Sequence, residues 1–143
     1  MATLNPYLNF NGNAEEAFNF YKSVFGGEFL SLQRFKDTPE AGKASKEEQN
    51  KIMHVALRIG KGNVLMASDV LESMGFKLVN GTNFSLTVSV DSEEEATNLF
   101  NKLSSGGQVN MPLQKTFWGA FFGMLKDKFG INWMVSYSQN QQY

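Results

Sequence analysis

Apolar and polar residues change their spacing several times along this chain, and each change marks an element. Over residues 84–90 they alternate strictly. Phe84, Leu86, Val88 and Val90 stand against Ser85, Thr87 and Ser89, the pattern of a strand with one face on a core. Just beyond, Ala96, Leu99, Phe100 and Leu103 recur at helical spacing. That helical stretch is written twice. Residues 13–27 read NAEEAFNFYKSVFGG and residues 92–107 read SEEEATNLFNKLSSGG. With a shift of 79 positions Glu15 falls on Glu94, Glu16 on Glu95, Ala17 on Ala96 and Asn19 on Asn98. One inserted residue then brings Gly26 and Gly27 onto Gly106 and Gly107. Both copies open on a predicted capping box, Asn13 with Glu16 and Ser92 with Glu95, and both stop at a glycine pair able to end a helix. The chain is an internal duplicate.

The remaining pattern fills in around these helices. A short strand is predicted over residues 4–10 and a second over 28–36, with Phe29, Ser31, Gln33 and Phe35 on one side and Leu30, Leu32, Arg34 and Lys36 on the other. Residues 37–51, DTPEAGKASKEEQNK, carry seven charges of mixed sign and little that is apolar, so an exposed, mobile connecting loop is expected. Residues 52–60 form a strand with Met53, Val55, Leu57 and Ile59 on one side and Ile52, His54, Ala56 and Arg58 on the other. The turn Lys61-Gly62-Asn63 leads into a further strand over 64–69. Residues 70–82 are a link broken by Gly75 and Asn80-Gly81. In the second half, strands are predicted over 84–90, 108–113, 120–126 and 132–137, the last with Trp133, Val135 and Tyr137 on the core. The polar tail, 138–143, is expected to fray. The expected fold class is therefore α+β. Two βαβββ modules stand in tandem within one domain, module one about 1–70 and module two about 83–138, with mixed curved sheets and helices on the outer face.

Composition narrows the chemistry. At 143 residues and a net charge of −1, the chain has no basic field to hold nucleic acid or an anionic membrane surface. No cysteine means no disulfide, no thiolate nucleophile and no zinc–thiolate site. No apolar run approaches the roughly 20 residues of a membrane span, and the opening MATLNPYL has no signal-peptide pattern. A soluble cytoplasmic protein is expected. Thirteen phenylalanines favour a sheet-rich core with apolar surface left for a pocket or partner. One helix covers only one face of each four-stranded sheet. The partly polar opposite faces (Ser85, Thr87, Ser89; His54, Arg58; Asn132, Met134, Ser136) are expected to line a shared groove that takes a small molecule.

The strings PYLNFNGNAEEAFNFYKSVFGGE at 6–28, MHVAL and VLMASD at 53–57 and 64–69, and MPLQKTFWGAFFGMLKDKFGINWMV at 111–135 carry a family resemblance. With the paired modules, they resemble the vicinal oxygen chelate superfamily of glyoxalase I, extradiol dioxygenases and fosfomycin and bleomycin resistance proteins. Within it the chain looks like the PhnB-like branch, whose members carry the label 3-demethylubiquinone-9 3-methyltransferase. The resemblance implies a homodimer. In metal-using relatives, four inward side chains, usually His, Glu or Gln, bind the ion. Mapped here, the resemblance points to Asn5 or Tyr7, Met66 or Ser68, Ser85, and Met134. Thioethers and lone hydroxyls are poor ligands for the cations such enzymes use, so neither metal nor other cofactor is expected. The family string resembles TFW-x-x-RFG, and Phe121 stands where that string has Arg.

The candidate ligand-binding residues are Tyr7, His54, Arg58, Ser68, Ser85, Thr87, Trp118, Phe122 and Met134. His54, the one imidazole in the chain, is the candidate general base. Asp69, at the end of the neighbouring strand, reads as a solvated carboxylate. Neither G-x-G-x-x-G, a Walker loop nor a G-x-S-x-G elbow occurs, which removes the usual nucleotide, methyltransferase and serine-hydrolase readings. Two rivals remain. One is a metal-dependent lyase or dioxygenase with unusual ligands, such as His54 with Glu28, Glu72 or Asp69. The other is an interaction module whose groove is filled by a partner chain.

Overall fold

Residues 2–139 are described by the computed structural model, and they fall into two compact units, one ending at Val79 and the other beginning at Asn80. In the first, β1 (Tyr7–Phe10), α1 (Ala14–Phe25), β2 (Phe29–Arg34), β3 (Ile52–Ile59) and β4 (Asn63–Asp69) follow in turn. The second repeats the order with β5 (Leu86–Val90), α2 (Glu93–Ser104), β6 (Gln108–Lys115), β7 (Phe121–Lys126) and β8 (Asn132–Tyr137). The strand orders match as well, β1-β4-β3-β2 and β5-β8-β7-β6. In each sheet the first and last strands pair parallel and the other pairs run antiparallel. The register repeats too: Tyr7 stands beside Met66, and Thr87 beside Met134. This is the tandem βαβββ arrangement that the doubled sequence predicts.

Each helix sits on its own sheet through the residues that the helical spacing singles out. Ala14, Ala17, Phe18 and Tyr21 are fully buried against a sheet face that includes Leu8, Phe10, Val55, Leu57 and Ala67. Phe18 meets Phe10 and Tyr21 edge-on, with ring centroids 6.2 and 5.5 Å apart. In the second unit Ala96, Leu99, Phe100 and Leu103 bury against Leu125, Trp133 and Val135. Each large side chain so buried contributes about 1.5–3 kcal/mol, which makes the two helix–sheet seams the main source of stability.

Several boundaries differ from the sequence pattern, each for a local reason. The first strand begins at Tyr7 and leaves Leu4 exposed, because Pro6 has no N–H for the ladder; its carbonyl accepts from the Met66 N–H at 3.1 Å. Phe84 is 59% exposed instead of facing inward, and Ser85 lies off the strand. The pairing partner begins only opposite Leu86, at Trp133. The alternation in β2 is interrupted by two register shifts, the mark of bulges on an edge strand. The edge strand β6 runs on to Lys115 and holds Pro112, which an edge tolerates. The expected tail is described only as far as Gln139; residues 140–143 lie outside the described residues.

The caps also differ between the copies. Ser92 accepts from the Glu95 N–H at 3.0 Å, but the Glu95 carboxylate reaches back to the N–H of Asp91, one residue before the cap. Asn13 makes no side-chain cap. In its place Asp69, only 4% exposed, accepts from Gly12 and Ala14 through one oxygen (3.0 and 2.9 Å) and from Ile52 through the other (2.8 Å). Asp69 is therefore a buried cap on α1, not a solvated strand end. An anion there also meets the positive end of the helix dipole.

Residues 37–51 are a built strap instead of a bare loop. It comprises three short 3-10 turns, Phe35–Asp37, Pro39–Lys43 and Lys46–Glu48. The Gln49 amide donates to the carbonyls of Ala41 and Ala44, both at 2.9 Å, and Glu48 is buried. Arg34 joins the strap to α1 with a two-pronged contact to Glu15 at 3.0 and 2.6 Å and a third bond to the Asn50 carbonyl at 3.0 Å. The Arg34 contact holds the Glu15 carboxyl below its ordinary range. Both side chains are partly solvated, so the pair contributes at most about 1 kcal/mol.

Candidate functional site

The face of the first sheet turned away from α1 gathers the polar residues that alternation assigns to it. On the parallel pair β1 and β4, Tyr7 and Ser68 point to that face, and their hydroxyls are 2.7 Å apart. His54 on β3 joins them, its Nδ1 3.4 Å from the Tyr7 hydroxyl and its ring tilted 31° to the phenol at 5.9 Å between centroids. A phenol has one proton, so Tyr7 donates to one neighbour and accepts from the other, and the tautomer of His54 sets which. Arg58 is not part of this cluster. It lies four residues further along β3, about 13 Å away at the rise of an extended strand, and it is exposed.

Tyr7 and Ser68 open onto a cleft of about 900 Å³ within the first unit. Its walls come from places the linear pattern does not connect. Met53 projects from β3, Phe35 and Pro39 from the strap, and Leu71, Met74 and Phe76 from the link after β4. The link holds a 3-10 turn at Glu72–Met74, and the Ser73 hydroxyl and N–H bind the Glu48 carboxylate. The same carboxylate closes a capping box with Ser45, whose N–H lies at 2.9 Å. Glu48 thus fastens strap to link, two of the walls of the cleft. Met74, Phe76 and Leu78, two residues apart, were a legible signal of an apolar wall in what reads otherwise as a bare link.

The Ser73 hydroxyl first, and then the Ser45 backbone, pull the Glu48 carboxyl down from 4.5 to about 2. A depressed carboxyl stabilises the fold above its unfolded value and loses that contribution as pH falls through its folded one. Urea unfolding should therefore show wild type losing its advantage over Glu48→Gln as pH drops from about 4.5 to about 2. A difference that stays constant over that range would contradict the fastening.

The second unit holds its own hollow of about 430 Å³, lined by Glu93, Lys115, Trp118, Phe121 and Tyr137 among others. Trp118 meets Phe122 at 6.0 Å and Phe117 at 5.0 Å between centroids. Thr87 donates to the Met134 sulfur at 3.8 Å. Ser85 has no place on that strand face.

The resemblance raises a metal, and the donors can be tested against it. Of the mapped positions, Tyr7 stands beside Met66, a phenol beside a thioether, while Met134 stands beside Thr87 and the mapped Ser85 lies off the strand. Soft thioethers do not suit hard divalent ions. Among the described residues no three His, Asp or Glu side chains converge, and both oxygens of Asp69 are held by backbone N–H groups. The donor set does not fit a metal, His54 with Glu28, Glu72 or Asp69 included.

Comparison with known proteins places this architecture. The family model described as 3-demethylubiquinone-9 3-methyltransferase matches residues 2–136. This chain belongs to that family, the PhnB-like branch. Protein YjdN of Escherichia coli is 33% identical over 96% of this chain and 97% of its own length. The crystal structure of protein PA1353 from Pseudomonas aeruginosa is 41% identical, covers 98% of this chain and all of its own, and superposes with a TM-score of 0.87. A PhnB protein from Bacillus cereus, itself titled a putative 3-demethylubiquinone-9 3-methyltransferase, gives 30% identity, a TM-score of 0.77, and coverage of 96% and 100%. Glyoxalase-related and glyoxalase/bleomycin resistance/dioxygenase structures at 18% and 17% identity share the fold, with TM-scores of 0.64 and 0.63. The family's methyltransferase label finds no counterpart in the PhnB-like chain's first strand–helix turn, Asn11-Gly12-Asn13, which is not the glycine-rich loop of a parallel nucleotide-binding sheet.

Proposed function

We propose that this PhnB-like protein binds a small molecule in the cleft of its first module, with the Tyr7, Ser68 and His54 cluster orienting the ligand's polar end. The observation that carries this reading is the hydroxyl pair of Tyr7 and Ser68 opening onto a cleft of about 900 Å³ walled by Met53, Met74 and Phe76. Sites of that size, mostly apolar with a few convergent polar groups, are the usual form of small-molecule pockets. Nile red, a neutral apolar dye, is the probe. Phe76 is 57% exposed, so Phe76→Asp leaves the core intact. It should weaken saturable dye binding by about tenfold or more, the equivalent of losing one aromatic contact. Trp118→Asp should leave that binding unchanged. Unchanged binding in Phe76→Asp, or its loss in Trp118→Asp, would move the ligand out of this cleft.

The protein is also read as a homodimer, since Phe117, 98% exposed, and Trp118 beside it offer apolar surface to a partner. Sedimentation velocity should give about twice the 16.0 kDa chain mass and fall to one chain for Phe117→Asp; a wild-type monomer would refute it. The proposed compartment is the cytoplasm, where a chain without cysteines loses nothing to reducing conditions. Among the described residues no helix is long and apolar enough to cross a membrane.

A further inference from the structure

We infer that the cleft of the first module selects an amphipathic monoacid, a molecule with an apolar body and a single carboxylate that pairs with Lys77. The inference rests on the cleft reading and adds the ligand's charge to it. Three charged residues line the cleft: Glu40, Asp69 and Lys77. Asp69 is buried, with both oxygens engaged by backbone N–H groups. Glu40 is paired with Lys43 at 2.9 Å. Lys77 is different. Its chain position is exposed, and among the described residues it makes neither an ion pair nor a side-chain hydrogen bond. Among the three charged side chains of the cleft, Lys77 is therefore the one with no bonded partner of its own.

Lys77 shares the cleft lining with the apolar side chains of Met53, Met74 and Phe76. A purely apolar ligand would leave Lys77 unanswered, and a cation would be repelled by it. A phosphate carries up to two charges and is normally met by an arginine fork or more than one cation, whereas no arginine and only one lysine line this cleft. One point charge with mobile donors suits one carboxylate. The neutral hydroxyls of Tyr7 and Ser68 serve a hydroxyl or carbonyl elsewhere on the same ligand.

The test compares a fluorescent acid, dansylamino-undecanoic acid, with its primary amide, titrated into the full chain. Wild type should bind the acid about tenfold more tightly than the amide, as one partly desolvated charge pair allows. The preference should shrink when salt is raised from about 50 to about 500 mM. Lys77→Met keeps an apolar stem at an exposed position, and it should bring acid and amide to equal affinity. Lys77→Glu should reverse their order. Phe76→Asp should weaken both probes. Equal binding of acid and amide by wild type, or a preference that survives Lys77→Met, overturns the charge assignment while leaving the cleft in place. Saturable binding of neither probe overturns the cleft reading and this inference with it.

Discussion

Asp69→Ala should lower the unfolding free energy by about 3–5 kcal/mol and the melting temperature by about 10–20 °C. The carboxylate is buried and accepts three backbone N–H groups from two separate segments, Gly12 and Ala14 at the start of α1 and Ile52 at the start of β3. Each charge-assisted bond contributes about 1.5–3 kcal/mol, and the sum is less than additive because the three donors share one group. Alanine also leaves those donors without a partner in a region closed to water. Asp69→Asn separates the parts. Its carbonyl can still serve the helix start, but its amide faces the Ile52 N–H, donor against donor, so about half the loss should remain. Urea denaturation at neutral pH measures both variants. A loss below about 1 kcal/mol for Asp69→Ala would mean that the helix start is capped by something else.

The second large effect concerns the glycine pairs, where the two members have different tasks. A Cβ on Gly27 would collide with the Arg58 carbonyl, and a Cβ on Gly107 would collide with the Lys126 carbonyl. In both modules the chain leaving the helix passes so close to the neighbouring strand that only a hydrogen fits. Gly27 adds a φ of +85°, which alanine adopts only with strain. Gly27→Ala and Gly107→Ala should each cost about 3 kcal/mol or more, since backbone cannot yield as a side-chain end can. The first member of the pair is more forgiving. Gly26, at φ 75° and ψ −151°, holds a backbone conformation that is almost glycine's alone but has open space around its would-be Cβ. Gly26→Ala should therefore cost about 1–3 kcal/mol from backbone strain without a collision. Equal losses for Gly26→Ala and Gly27→Ala would contradict the close approach.

These two cases also mark what was legible in the chain and what was not. The duplication, both helices, β3 and β8 follow from spacing alone, because burial against one face imposes the period. The glycine pairs read as helix stops, which holds for Gly26. The role of the second glycine depends on a strand more than 30 residues away in the first module and about 20 away in the second, and no local pattern reports it. Asp69 fails for the same reason: its donors come from 17 and more residues away, so a strand-end carboxylate looks solvated in one dimension.

The candidate site divides along the same line. Tyr7, His54 and Ser68 were expected on one sheet face, and strand alternation brings them together. Arg58 shares their face but lies two pleats away along the strand. Ser85 drops out because its strand starts two residues later than the alternation suggests. The cleft wall from the strap was out of reach, whereas the alternation of Met74, Phe76 and Leu78 in the link was there to be read. The strap's charged composition reads as connector, while a buried Glu48 binding Ser73 and Ser45 gives strap and link a fixed course.

Amide chemical-shift mapping of the full chain with dansylamino-undecanoic acid addresses the central claim most directly. The account predicts the largest shifts at Tyr7, Asn9, Ser68 and residues 74–79, with residues 115–121 unmoved. Shifts concentrated at 115–121 with the first-module amides unchanged would contradict it.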